Sequence, residues 1–109
     1  MKFAYLLSSL LAISVLADAH AADTEVALRI KDHRFIPAEV RVPSGQKVKL
    51  TIENQDSTPE ELDSHDLNRE KVIPGNSKAS IFIGPLRPGR YAFVGEFNEA
   101  TAKGVVIAE

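Results

Sequence analysis

The sequence predicts an all-β fold, an antiparallel Greek-key β-sandwich built from about six or seven short strands. Three observations carry this reading. Apolar residues recur with a period of two in short runs, the spacing of strands that bury one face. Pro, Gly, Asn and Ser cluster between those runs as turns. No stretch keeps a helical period, so nothing is available to cover a parallel sheet.

Val26, Leu28 and Ile30 open the pattern, and Val40 and Val42 repeat it. Val48, Leu50 and Ile52 give the clearest run, with Lys47, Lys49, Thr51 and Glu53 on the opposite face. Ile81 with Ile83, Tyr91 with Phe93, and Val105 with Ile107 mark three more strands. Turns fall at Pro43-Ser44-Gly45, residues 54–59, Pro74-Gly75-Asn76 and Arg87-Pro88-Gly89. Residues 98–102 have room for one helical turn. Tyr91, Phe93 and Phe97 read as core or near-core side chains.

Residues 1–21 read as a cleavable signal peptide. Lys2 supplies the positive start, residues 3–17 are apolar, and Ala19 and Ala21 place small residues before the cleavage point. A membrane span needs about 20 apolar residues, and Asp18 ends this run sooner. One domain is therefore expected over residues 22–109, working outside the cytoplasm.

Composition narrows the function classes. The net charge of −2 gives no electrostatic reason to bind nucleic acid or anionic lipid. The chain has no cysteine, so the domain folds without disulfides. Its only methionine is Met1, which leaves with the signal. The exported domain thus carries no sulfur ligand at all.

Two segments interrupt the alternation and concentrate acids. One runs from Pro59 to Asp66, with Arg69-Glu70-Lys71 close behind, and the other is Gly95-Glu96-Phe97-Asn98-Glu99. Carboxylates and imidazoles suit divalent metals. Residues two apart on a strand share a face, so Glu61 with Asp63, or Asp63 with His65, can approach one ion. Glu61 and His65 lie about 13 Å apart on an extended strand and share an ion only if the segment bends. Solvated loop acids are the bland alternative. His33, beside a turn, reads as a surface histidine, and Arg69, Glu70 and Lys71 as surface ion pairs. Glu70 has a second reading, as a support to the metal site.

Phe35-Ile36-Pro37, Val42-Pro43-Ser44-Gly45, Ile52-Glu53-Asn54 and Leu86-Arg87-Pro88-Gly89-Arg90-Tyr91 together resemble the cupredoxin family. Glu60-Glu61-Leu62-Asp63-Ser64, Asn68-Arg69-Glu70-Lys71-Val72-Ile73, Gly95-Glu96-Phe97-Asn98 and Thr101-Ala102-Lys103-Gly104 resemble a narrower group. That group is the cupredoxin-like proteins of bacterial periplasmic ferrous-iron uptake (FtrB-like proteins and EfeO-type domains). The resemblance implies a cupredoxin-like sandwich, copper or iron as the bound ion, and an iron permease as partner. Iron oxidation is the enzymatic role it leaves open.

Cupredoxins join an early histidine to Cys, His and usually Met from the loop between the last two strands, and this chain departs from that set. Gly95 stands where the cysteine would lie, and Asn98 where the narrower group tends to carry histidine. The resemblance puts Glu61 near the first-ligand position and Glu96 in the later loop. His65 is the nearest imidazole to make up for Asn98. The implied ligand set is Glu61, Asp63, His65, Glu96 and Asn98. Two other functions stand beside iron handling: copper binding or buffering, and an interaction module that has lost its metal site.

Overall fold

The computed structural model describes residues 24–109, and the segment read as a signal peptide lies outside the described residues. The strands are β1 (Thr24–Lys31), β2 (Arg34–Ile36), β3 (Glu39–Val42), β4 (Val48–Asn54), β5 (Glu60–Ser64), β6 (Arg69–Ile73), β7 (Ser77–Ile83), β8 (Gly89–Gly95) and β9 (Lys103–Ala108). One sheet has the order β2-β1-β4-β7, and the other β3-β9-β8-β5-β6. Among the described residues no helix is long and apolar enough to cross a membrane.

The expected sandwich is present, and the best alternating runs build its middle. Leu28 and Ile30 of β1, Leu50 and Ile52 of β4, and Ile83 of β7 face Leu62, Phe93 and Val106 of the second sheet in one continuous core. The Phe35 and Phe93 rings meet edge to face at 4.9 Å between centroids. Phe93 lies opposite Gly104 on β9, and a Cβ there would fall 2.2 Å from the ring. Only glycine lets the ring lie down on the neighbouring strand.

The sheets are mixed rather than purely antiparallel. β1 runs parallel to β4, and β3 parallel to β9. The chain from β1 to β4 passes through β2 and then crosses to the other sheet as β3, so it returns in its original direction. A period of two reports which face is buried, not which way the neighbour points. The face assignment also changes in β9. Val106 and Ala108 are buried, while Val105 and Ile107 lie half-buried on the outer face.

Short polar strands escaped the apolar pattern: β2, β5 and β6 were not expected as strands. Beyond the two backbone pairs that join β5 to β8, side chains extend the contact. The Ser64 hydroxyl donates to the Ala92 carbonyl at 2.7 Å, and the Asp66 carboxylate accepts from the Ala92 N–H at 3.0 Å. These bonds complete the edge where the turn after β5 leaves the ladder.

Candidate metal centre

The acidic segment is a strand, and its alternation sorts the acids. Glu60, Leu62 and Ser64 point into the core, while Glu61 and Asp63 point outward. Leu62 pairs with Gly95 and Asp63 with Val94, so the next residues along, Glu61 and Glu96, are brought side by side. Glu96 opens a single 3-10 turn, Glu96–Asn98, directly after β8. This turn starts two residues before the helical turn expected at 98–102.

Carboxylate oxygens of Glu61, Asp63 and Glu96 lie within 4.8 Å of one another. At this separation two carboxylates repel by roughly 1 kcal/mol per pair even with the full screening of bulk water. Among the described residues none of the three forms an ion pair with a basic side chain. A cation seated between them would relieve that repulsion and gain three hard oxygen ligands.

The other two expected ligands are not in this converging group. His65 is exposed in the turn after β5, and no imidazole joins the three carboxylates among the described residues. β5 stays extended to Ser64, so the bend that would carry His65 back to Glu61 is absent. Asn98 turns toward the interior, where its Nδ2 donates to Glu60 Oε2 at 2.7 Å. Phe97 is 53% exposed on the same turn, outside the core assigned to it. The Arg69 guanidinium donates to the Phe82 and Asn68 carbonyls. Ion pairs within Arg69-Glu70-Lys71 are absent among the described residues. Glu70 stands opposite Asp63 on β6. His33 is exposed, as expected, with Nδ1 3.7 Å from Asp56 Oδ2.

Glu60 is the residue that sequence reasoning missed. Its side chain is 1% exposed. Oε1 accepts from the N–H groups of Glu61 at 3.0 Å and Phe97 at 2.9 Å, and Oε2 from Asn98. It is Glu60, not Glu61, that fills the space against Gly95. A Cβ on Gly95 would come within 2.6 Å of both the Glu60 carboxyl carbon and the Ala102 Cβ. The alternation contained the clue, because Glu60 shares the face of buried Leu62.

The sequence model of the cupredoxin-like domain family matches residues 3–108. This chain belongs to the cupredoxin-like domain family. The uncharacterized protein RP394 of Rickettsia prowazekii (strain Madrid E) is 46% identical over 83 residues, which cover 76% of this chain and 66% of the relative. The cupredoxin-like chain therefore spans just under two thirds of that relative's length. Solved structures share the fold. Auracyanin A, a "blue" copper protein of Chloroflexus aurantiacus, superposes with a TM-score of 0.68 at 11% identity, covering 80% of this chain and 99% of its own. The metal-binding domain of the Cu(I)-exporting P-type ATPase CopA of Streptococcus pneumoniae D39, solved with Cu(I), gives 0.66 at 15% identity, covering 78% and 84%. A purple cupredoxin of Nitrosopumilus maritimus gives 0.59 at 18% identity, covering 80% and 100%.

A blue-copper centre does not fit this cupredoxin-like domain. The chain lacks the thiolate, and the place where the resemblance puts it is glycine packed against a buried carboxylate. The donors gathered on its surface are oxygens only.

Proposed function

We propose that this cupredoxin-like protein is exported to the periplasm and binds a divalent metal through Glu61, Asp63 and Glu96. The cargo is iron, held for hand-over to a membrane permease in ferrous-iron uptake. One observation carries the reading: three carboxylates converge within 4.8 Å with no basic partner among the described residues. Oxygen ligands with three negative charges favour hard cations and stabilise Fe(III) relative to Fe(II). The resemblance of the 60–73 and 95–104 segments to iron-uptake proteins supports iron as the cargo.

A copper reading has its own support, since the related auracyanin A and CopA domain are copper proteins by name. Cu(II) also stands highest in the usual order of divalent affinity. Titration of the purified protein with Fe(II) under anoxic conditions, alone and against Cu(II), separates the two. Saturable Fe(II) binding that weakens about tenfold or more in Glu61→Ala and in Glu96→Ala supports the iron site, a loss of about 1.4 kcal/mol or more. Cu(II) binding that ignores both substitutions places copper elsewhere and removes the reading. If neither metal binds, the interaction-module alternative takes over.

A further inference from the structure

Glu60 joins the start of β5 to the loop between β8 and β9. Three hydrogen bonds make the link: from the Glu61 N–H, the Phe97 N–H and the Asn98 amide. Every donor is fixed by the fold. The Asn98 carbonyl accepts from the Thr101 and Ala102 N–H groups, and the Gly95 N–H donates to the Ala102 carbonyl at 2.8 Å. The loop is therefore a closed hydrogen-bonded turn with one buried carboxylate at its centre. Glu96 lies in that turn between Gly95 and Phe97, with its own side chain outside.

From this arrangement we infer that Glu60 is a positioning residue: it clamps the 3-10 turn and thereby aims Glu96 at Glu61 and Asp63. The inference rests on the carboxylate site proposed above. A buried carboxylate bound by three donors is held far more firmly than an exposed one, because removing it leaves those donors unpaired. Its Oε1 takes the N–H groups on both sides of the site, that of Glu61 itself and that of Phe97 next to Glu96. One oxygen atom thus sets the separation of two of the three ligands. Gly95 completes the device, since any side chain there displaces Glu60.

The test compares Glu60→Ala with Glu60→Gln in the full protein, using Fe(II) alone as the probe. Glu60→Gln keeps an oxygen for both N–H groups, and Asn98 can turn its carbonyl toward the new amide nitrogen. Fe(II) affinity is expected to fall about tenfold or more in Glu60→Ala, which loses all three bonds, and less than about threefold in Glu60→Gln, which keeps them. The Glu60→Ala loss should vanish in a Glu96→Ala background, because the clamp then has no ligand to aim. In the metal-free protein, hydrogen exchange of the Phe97 amide should quicken about tenfold in Glu60→Ala, while Leu50 and Val106 amides keep their protection. Equal losses with and without Glu96, or an unchanged Phe97 exchange rate, overturn the inference. Wild-type protein that binds no Fe(II) sinks the proposed site instead, and the metal-free exchange experiment still judges the clamp.

Discussion

Asn54 at the end of β4 and Glu60 at the start of β5 are buried to the same depth, each 1% exposed. Both tie a strand end to a loop. Asn54 donates to the Thr58 and Ile73 carbonyls and accepts from the Asp56 N–H. Glu60 can only accept, and all its partners are donors. The surroundings differ more. At the Asn54 corner the Asp56 carboxylate accepts from the Asp32 and His33 N–H groups and lies beside the His33 ring. At the Glu60 corner three outer carboxylates face one another with no basic partner among the described residues. The carboxylate is satisfied by N–H donors at the first corner, while at the second, where a metal is proposed to bind, three are left without a basic partner among the described residues.

The sharpest break of this comparison is Asn54→Leu. Leucine removes all three bonds; only the one to the Ile73 carbonyl is fully buried, at about 1–3 kcal/mol, and the two part-buried ones cost less, so a loss of roughly 2–4 kcal/mol is expected. Denaturant unfolding measures it. Fe(II) affinity of the folded fraction should be unchanged, since this corner holds no ligand. A parallel fall in affinity would show the two corners coupled and remove the distinction.

The metal site should reverse that profile. Glu61→Ala and Glu96→Ala are each expected to leave the metal-free protein no less stable, and more stable by up to about 2 kcal/mol, since each removes two of the three repulsive pairs. They should also erase the rise in melting temperature that the ion gives wild type. A ligand at a hundredfold its dissociation constant stabilises by about 2.7 kcal/mol, which is roughly 10–20 °C for a domain of this size. If either variant melts with the same metal-induced shift as wild type, its carboxylate is a bystander.

How legible these corners were in the sequence depends on where polarity entered the strand pattern. β1, β3, β4 and β7 could be read because valine, leucine and isoleucine alternate with polar residues. β5 could not, because it puts an acid on its buried face as well as on its outer one. Glu61, Asp63 and Glu96 were nonetheless expected together, from the shared face of Glu61 and Asp63 and from family resemblance. Glu60 stayed hidden, since a glutamate in a run with Glu61, Asp63 and Asp66 looks solvated until a fold supplies donors around it. The parallel pairs β1–β4 and β3–β9 were equally invisible, for they depend on which sheet each strand joins.

Acid gives a smaller effect with a definite sign. The His33 N–H bond chiefly, opposed by burial and helped by the Asp32 N–H and the His33 and Lys31 charges, holds the Asp56 carboxyl below its ordinary value of 3.8. A depressed carboxyl contributes stability that is complete above the unfolded value and is lost as pH falls through the folded one. Wild type should therefore lose this increment below about pH 4, while Asp56→Asn lacks it throughout and has a flatter acid limb. Denaturant midpoints from pH 7 to pH 3 test this, and identical limbs would remove Asp56 from the account.

His65→Ala is expected to do least, and its result identifies the donor set. The two-residue period places His65 on the outward side with Asp63, and the two line the same surface hollows, but β5 ends at Ser64 and His65 is not among the three ligands that converge. The carboxylates then act without an imidazole, and Fe(II) affinity should change by less than about twofold, a few tenths of a kcal/mol. A tenfold fall would mean that the imidazole swings in to complete the site. The donors would then be nitrogen and oxygen together, a set that suits copper at least as well as iron. The same substitution titrated with Cu(II) reads that outcome directly: an all-oxygen site leaves Cu(II) affinity as it was, and a mixed site loses it.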